Sequence, residues 1–117
     1  MVAARAASAK KAERIVILDV SVHLVITDYF VICNATTERQ VRTIADEIER
    51  VLQRDRGVKP FRREGAREGR WVLLDYIDFV VHVFRTEDRD YYDLERLWSD
   101  APRLDWDDDE RLPAVAR

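Results

Sequence analysis

Four side chains fall close together in the second half of the chain and are equipped for chemistry: Glu64, Asp75, Asp78 and His82. Carboxylates grouped in this way can hold a divalent ion, and a histidine can exchange a proton near neutral pH. A metal-dependent or acid–base reaction is the sharpest reading of such a cluster. The surrounding sequence opposes it. There is no Gly-x-x-x-x-Gly-Lys phosphate loop, no Gly-x-Gly-x-x-Gly fingerprint, no nucleophile elbow and no Cys or His pair with zinc spacing. Asp75 and Asp78 bracket a presumptive turn, where carboxylates ordinarily hydrogen-bond the backbone, and His82 alternates with Val80 and Phe84 on one strand face. The structural or interface role outweighs catalysis, so we expect no enzyme, no catalytic residue, no cofactor and no metal. His23 has no discernible partner, and Cys33 lies in the apolar run Tyr29 to Cys33, where an inert buried thiol is the ordinary outcome.

The elements that must position these residues alternate between extended and helical patterns. Residues 3 to 13 favour a short, peripheral helix through their alanines and lysines. Ile15 to Leu18 and Tyr29 to Cys33 read as strands buried on both faces. Thr37 with Gln40 three residues on forms a capping box, and Val41, Ile44, Ala45, Ile48, Val51 and Leu52 follow at helical spacing. A short edge strand over Val58 to Phe61 is interrupted by Pro60. Trp71 to Tyr76 and Phe79 to Phe84 predict an antiparallel hairpin, with Ile77 an awkward residue for a turn that needs positive φ. A last helix is expected from Glu87 to Ser99, with Tyr91, Leu94, Leu97 and Trp98 on one side and Arg89, Asp93 and Arg96 largely on another. The fold class is α/β: a mixed sheet of five strands flanked by three helices, with a right-handed crossover over residues 29 to 61.

Composition narrows the function. With 117 residues the chain makes one domain, and 47% apolar with 37% charged residues supports a packed core under a charged exterior. No run reaches the roughly 20 apolar residues of a membrane span, and the Ala-rich, charged start lacks a signal-peptide core. We expect a soluble protein in the cytoplasm with no membrane partner. A net charge of −3 opposes a mainly phosphate-driven contact and favours a basic protein partner. The arginines of residues 61 to 70 alternate with glutamates, so they read as a solvated loop before an RNA-touching rim. Asp105, Asp107, Asp108, Asp109 and Glu110 surround Trp106, which places a flexible acidic tail at residues 101 to 117 and the end of the domain at Asp100. Trp71, Trp98, Tyr91 and Tyr92 exceed what so small a core needs, and aromatics ringed by charge are what a protein-binding surface looks like.

Taken together, Thr27-Asp28-Tyr29-Phe30-Val31-Ile32, Glu38-Arg39-Gln40-Val41 with Ile44-Ala45-Asp46, Glu64-Gly65, Arg70 to Tyr76 continuing to Asp78, Val81-His82-Val83-Phe84, and Arg89, Tyr92, Leu94-Glu95 and Leu97-Trp98 resemble the ribosomal silencing factor family, also called Iojap-like. Order and spacing match over residues 15 to 100. The resemblance implies a fold related to the nucleotidyltransferases without their catalytic signature. It also implies binding to large-subunit ribosomal protein fourteen at the subunit-joining face of the large ribosomal subunit, and repression of translation when nutrients are scarce. No sequence-specific nucleic-acid binding is expected, and the alternatives are a metal-dependent nucleotidyltransferase-like enzyme or an RNA-binding ribosome assembly factor. We expect Glu64, Trp71, Leu74, Asp75, Tyr76, Asp78, Tyr92, Glu95 and Trp98 to contain the docking surface, and the free protein to form a homodimer. Departures from the family pattern are a shorter N-terminal helix, Ile77 where glycine is frequent, Cys33-Asn34-Ala35 in place of a glycine-containing link, and the acidic tail.

Overall fold

The structure, a computed structural model, describes residues 1–106. Its elements in chain order are α1 (Val2–Ala9), β1 (Glu13–Asp19), β2 (Tyr29–Ala35), α2 (Glu38–Arg56), β3 (Arg62–Glu64), β4 (Trp71–Asp75), β5 (Phe79–Arg85), α3 (Thr86–Tyr92), α4 (Leu94–Leu97) and β6 (Arg103–Leu104). They build one mixed sheet in the order β3-β4-β5-β2-β1-β6, in which only the central β5–β2 pair is parallel. Neighbouring strands β4 and β5 are the expected antiparallel hairpin, with Leu73 opposite His82 and Asp75 opposite Val80.

Helix α2 forms where its pattern says it should. The Thr37 hydroxyl accepts from the Gln40 N–H at 3.1 Å, all six of its predicted apolar positions are buried, and Gly57 closes it at φ +66°. One face of the sheet is sealed by α1 and α2 over Val31, Cys33, Val72, Leu74, Val81 and Val83. Because strand side chains alternate, the residues between these, Phe30, Ile32, Trp71, Leu73, Val80 and Phe84, point to the opposite face.

Several expectations are corrected. The sheet has six strands, since Leu104 is buried and pairs with Ile17 of β1, so order continues past Asp100 to Trp106. The rest of the expected acidic tail lies outside the described residues. Helix α1 is not peripheral: its small alanines let it approach closely enough to bury Ala3, Ala4, Ala6 and Ala7 in the core with α2. Edge strand β3 lies one residue beyond the expected segment, because Pro60 can donate no N–H and pairing starts only after it. The chain from β2 through α2 arrives not beside β2 but at the far edge of the sheet. The last helix is two short ones broken at Asp93, which takes φ +49°, and the break sends Arg89 inward while Tyr91 and Leu97 stay exposed.

The hairpin tip is Tyr76-Ile77-Asp78, and Ile77 does adopt the awkward φ, +73°. A left-handed conformation costs a side chain with a Cβ roughly 1–2 kcal/mol, part of which glycine returns through its freer unfolded state. Ile77→Gly should therefore stabilise the fold by about 0.5–1 kcal/mol, read as a higher urea midpoint at unchanged slope. An equal or lower midpoint would mean that Ile77 makes compensating contacts.

Candidate functional site

The face opposite the long helices is only partly covered. At one end α3 and α4 lie across it: Tyr92 packs on Trp71 with ring centroids 4.8 Å apart, and Trp98 meets Phe30 edge-on at 5.5 Å. Arg89 fastens this cover. Its guanidinium, 4% exposed, donates to Glu95 Oε1, to Asn34 Oδ1 and to the Arg14 carbonyl, so α3 and α4 are tied to β1 and β2 by one buried cation through its donated hydrogen bonds. Glu95 also receives Arg103, which binds β6 to the same knot.

The other end of the face is open. There Leu24, Phe30, Leu73 and Val80 line a groove of about 390 Å³, rimmed by Ile26, Phe61 and Ile77, which are 81%, 72% and 51% exposed. Arg62 and Asp75 stand opposite each other on β3 and β4 and pair at 3.5 Å along the rim. Asp75 also accepts the Ile77 N–H at 2.9 Å, the turn-holding role expected of it. The Asp78 carbonyl receives the Asp28 and Tyr29 N–H groups and pins the tip to β2, while its residue is exposed. Glu64 lies across from Leu73 and lines a smaller hollow with Gly65 and Trp71. Gly65 is required: a Cβ there would stand 1.9 Å from the Trp71 carbonyl oxygen, and its φ is +81°.

His82 is buried beneath this face. Trp71 Nε1–H donates to its Nδ1 at 3.1 Å, and burial pushes its pKa down to about 3. It is a neutral ring held between strands, not a proton carrier near neutral pH. Among the described residues no three His, Cys, Asp or Glu side chains converge as a metal site would need. Cys33 is buried on the helix side with its thiol pushed up to about 12, as an apolar surrounding dictates. No helix among the described residues is long and apolar enough to cross a membrane.

Of the nine expected docking residues, Glu64, Trp71, Asp75, Tyr92, Glu95 and Trp98 belong to this one face, and Asp78 sits exposed at the tip. Leu74 and Tyr76 do not. Leu74 is fully buried and Tyr76 is 7% exposed, both under α2, because the strand period of two puts them opposite Leu73 and Asp75. The groove residues Phe61, Leu73 and Val80 were missed, although the alternation Trp71, Leu73, Asp75 carried the signal for Leu73.

Comparison with known proteins settles the family. The model of the family described as ribosomal silencing factor during starvation matches residues 1–117. The chain belongs to the ribosomal silencing factor family. Among its relatives, the ribosomal silencing factor RsfS of Halalkalibacterium halodurans is 45% identical over 103 residues, 88% of this chain and 87% of the relative. That of Bacillus subtilis is 44% identical over 106 residues, 91% and 89% of the two chains. A mouse relative named mitochondrial assembly of ribosomal large subunit protein 1 is 27% identical over 92 residues, 77% of this chain and 40% of the relative. A crystal structure from Chromobacterium violaceum superposes with a TM-score of 0.81 at 35% identity, covering 84% of this silencing factor and 81% of that chain.

Proposed function

We propose that this silencing factor docks through its open sheet face on large-subunit ribosomal protein fourteen of the large ribosomal subunit, and so keeps the small subunit from joining and represses translation under nutrient limitation. The observation that carries the reading is the set of exposed apolar residues Ile26, Phe61 and Ile77 that line one groove with Asp75, on the sheet face whose other end carries the Trp71–Tyr92 pair. Large desolvated side chains ringed by charge supply holding energy, while a net charge of −3 gives orientation and on-rate toward a basic partner. The action is steric and non-enzymatic, in the cytoplasm: a 13.8 kDa body occupies space that the small subunit needs, and no turnover is required. A relative's naming for large-subunit assembly is consistent with that site of action.

A direct RNA-binding role is disfavoured by the arginines themselves. Arg62 faces Glu64 and Asp75, Arg63 is held by Asp46 and Glu49, and Arg70 faces Glu38, so much of the segment's positive charge is already compensated. Sedimentation of the purified chain with separated subunits tests the reading. Co-migration with large subunits alone is expected; co-migration with naked RNA or with joined ribosomes would overturn it.

The free protein is proposed to be a homodimer through the same face, since an exposed apolar patch is most simply covered by its own two-fold copy. Light scattering should give twice 13.8 kDa alone and a one-to-one complex with the purified ribosomal protein. A monomer at all concentrations, or a stable two-to-two complex, would count against it.

A further inference from the structure

We infer that the groove on the open face is a binding site for a small, uncharged aromatic molecule that carries a hydrogen-bond acceptor, of the arylamide or nucleobase class. Two buried polar side chains on its lining carry the inference. Thr27 is 5% exposed and His82 4% exposed, both line the groove, and neither Thr27 Oγ1 nor His82 Nε2 has a hydrogen-bond partner among the described residues. Groups of this kind are satisfied in all but a few cases in folded proteins, so two at one groove call for an explanation.

The chemistry of the missing partner follows from His82. The indole N–H of Trp71 can only donate, and it points at Nδ1, so Nδ1 must be the acceptor and the ring proton resides on Nε2. His82 therefore offers an N–H, and what fits it is a carbonyl or ring nitrogen. The Thr27 hydroxyl, on the same lining, can serve as donor or acceptor. The walls are Leu24, Phe30, Phe61, Leu73 and Val80, suited to a ring, and a volume of about 390 Å³ lies within the range of small-molecule sites. The charges at the rim, Arg62 and Asp75, are paired with each other, which favours a neutral ligand over an anion or cation. Occupancy would alter the surface that meets the large subunit, a consequence that rests on the docking reading above.

The test is an NMR titration of the full ¹⁵N-labelled chain with benzamide, and with fluorobenzene as a ring lacking a strong acceptor. Benzamide should move the Trp71 indole N–H and the amides of Thr27, Leu73 and Val80 saturably, with Kd on the order of 1–10 mM for so small a probe. Fluorobenzene should bind at least about fivefold more weakly, and Thr27→Val and His82→Phe should each weaken benzamide by about threefold or more while the rest of the spectrum stays folded. Absence of saturable shifts, as for a groove that holds only water, would overturn the inference. So would equal binding of both probes with no effect of either variant. A chain that binds benzamide but does not sediment with large subunits would keep this site and sink the docking proposal, and the opposite pattern would do the reverse.

Discussion

A Phe61→Lys, Asp78→Lys double variant is expected to lose at least about a thousandfold in affinity for the large ribosomal subunit, some 4 kcal/mol, while remaining folded. Both residues are exposed, and the Asp78 contact that pins the hairpin tip uses its carbonyl, so neither substitution breaks a packed contact or that backbone tie. The magnitude comes from two sources. Truncating an aromatic anchor in a docking surface costs roughly 2 kcal/mol, and setting a lysine against a basic partner adds a penalty of similar or larger size. Asp75 is deliberately left in place: it holds the Ile77 N–H and Arg62, and its replacement would confound docking with stability. Unchanged affinity of the folded double variant in a sedimentation titration would remove the open face from the docking surface.

Acid should unfold the protein with His82 as a principal cause. Its ring is fully buried and its folded pKa is pushed down from 6.5 to about 3, so the unfolded chain takes up this proton first. The contribution is intact above pH 6.5 and is lost as the pH falls toward 3, at about 1.4 kcal/mol per pH unit. Summed over the window this reaches about 4–5 kcal/mol, comparable with the whole stability of a small domain. Urea unfolding at pH 6.5 and pH 4.5 should differ by about 2 kcal/mol in the parent chain on this account alone. His82→Phe should start lower at pH 6.5, having lost the acceptor for Trp71, yet fall by about 2 kcal/mol less between the two pH values. Equal falls in both chains would show that carboxylates, not His82, set the acid limit.

What was legible in the sequence was what local rules decide. Helix α2 was readable residue by residue because a cap, an apolar stripe and a terminal glycine all agree. The hairpin was readable because two β-rich runs are too close to do anything else. The face of Leu74 and Tyr76 was not, since both faces of a central hairpin are apolar and only the position of α2 decides which is sealed. Nor was the role of Arg89: a charged residue in a helix reads as solvated until Asn34 and Glu95, 55 and 6 residues away, are brought around it. The expected count of five strands fell one short of the six observed for the same reason. Arg103–Leu104 has no strand signal of its own and pairs only because β1 presents an edge there.

Under the proposed docking, occupancy of the large subunit by this silencing factor is by itself enough to stop subunit joining. This is tested most directly by following joining of purified small and large subunits by light scattering, with the large subunits first titrated with the factor. The account predicts that the joined fraction falls in proportion to the fraction of large subunits carrying the factor, without nucleotide, and that the Phe61→Lys, Asp78→Lys chain leaves joining intact. Normal joining of large subunits that demonstrably carry the factor would contradict it.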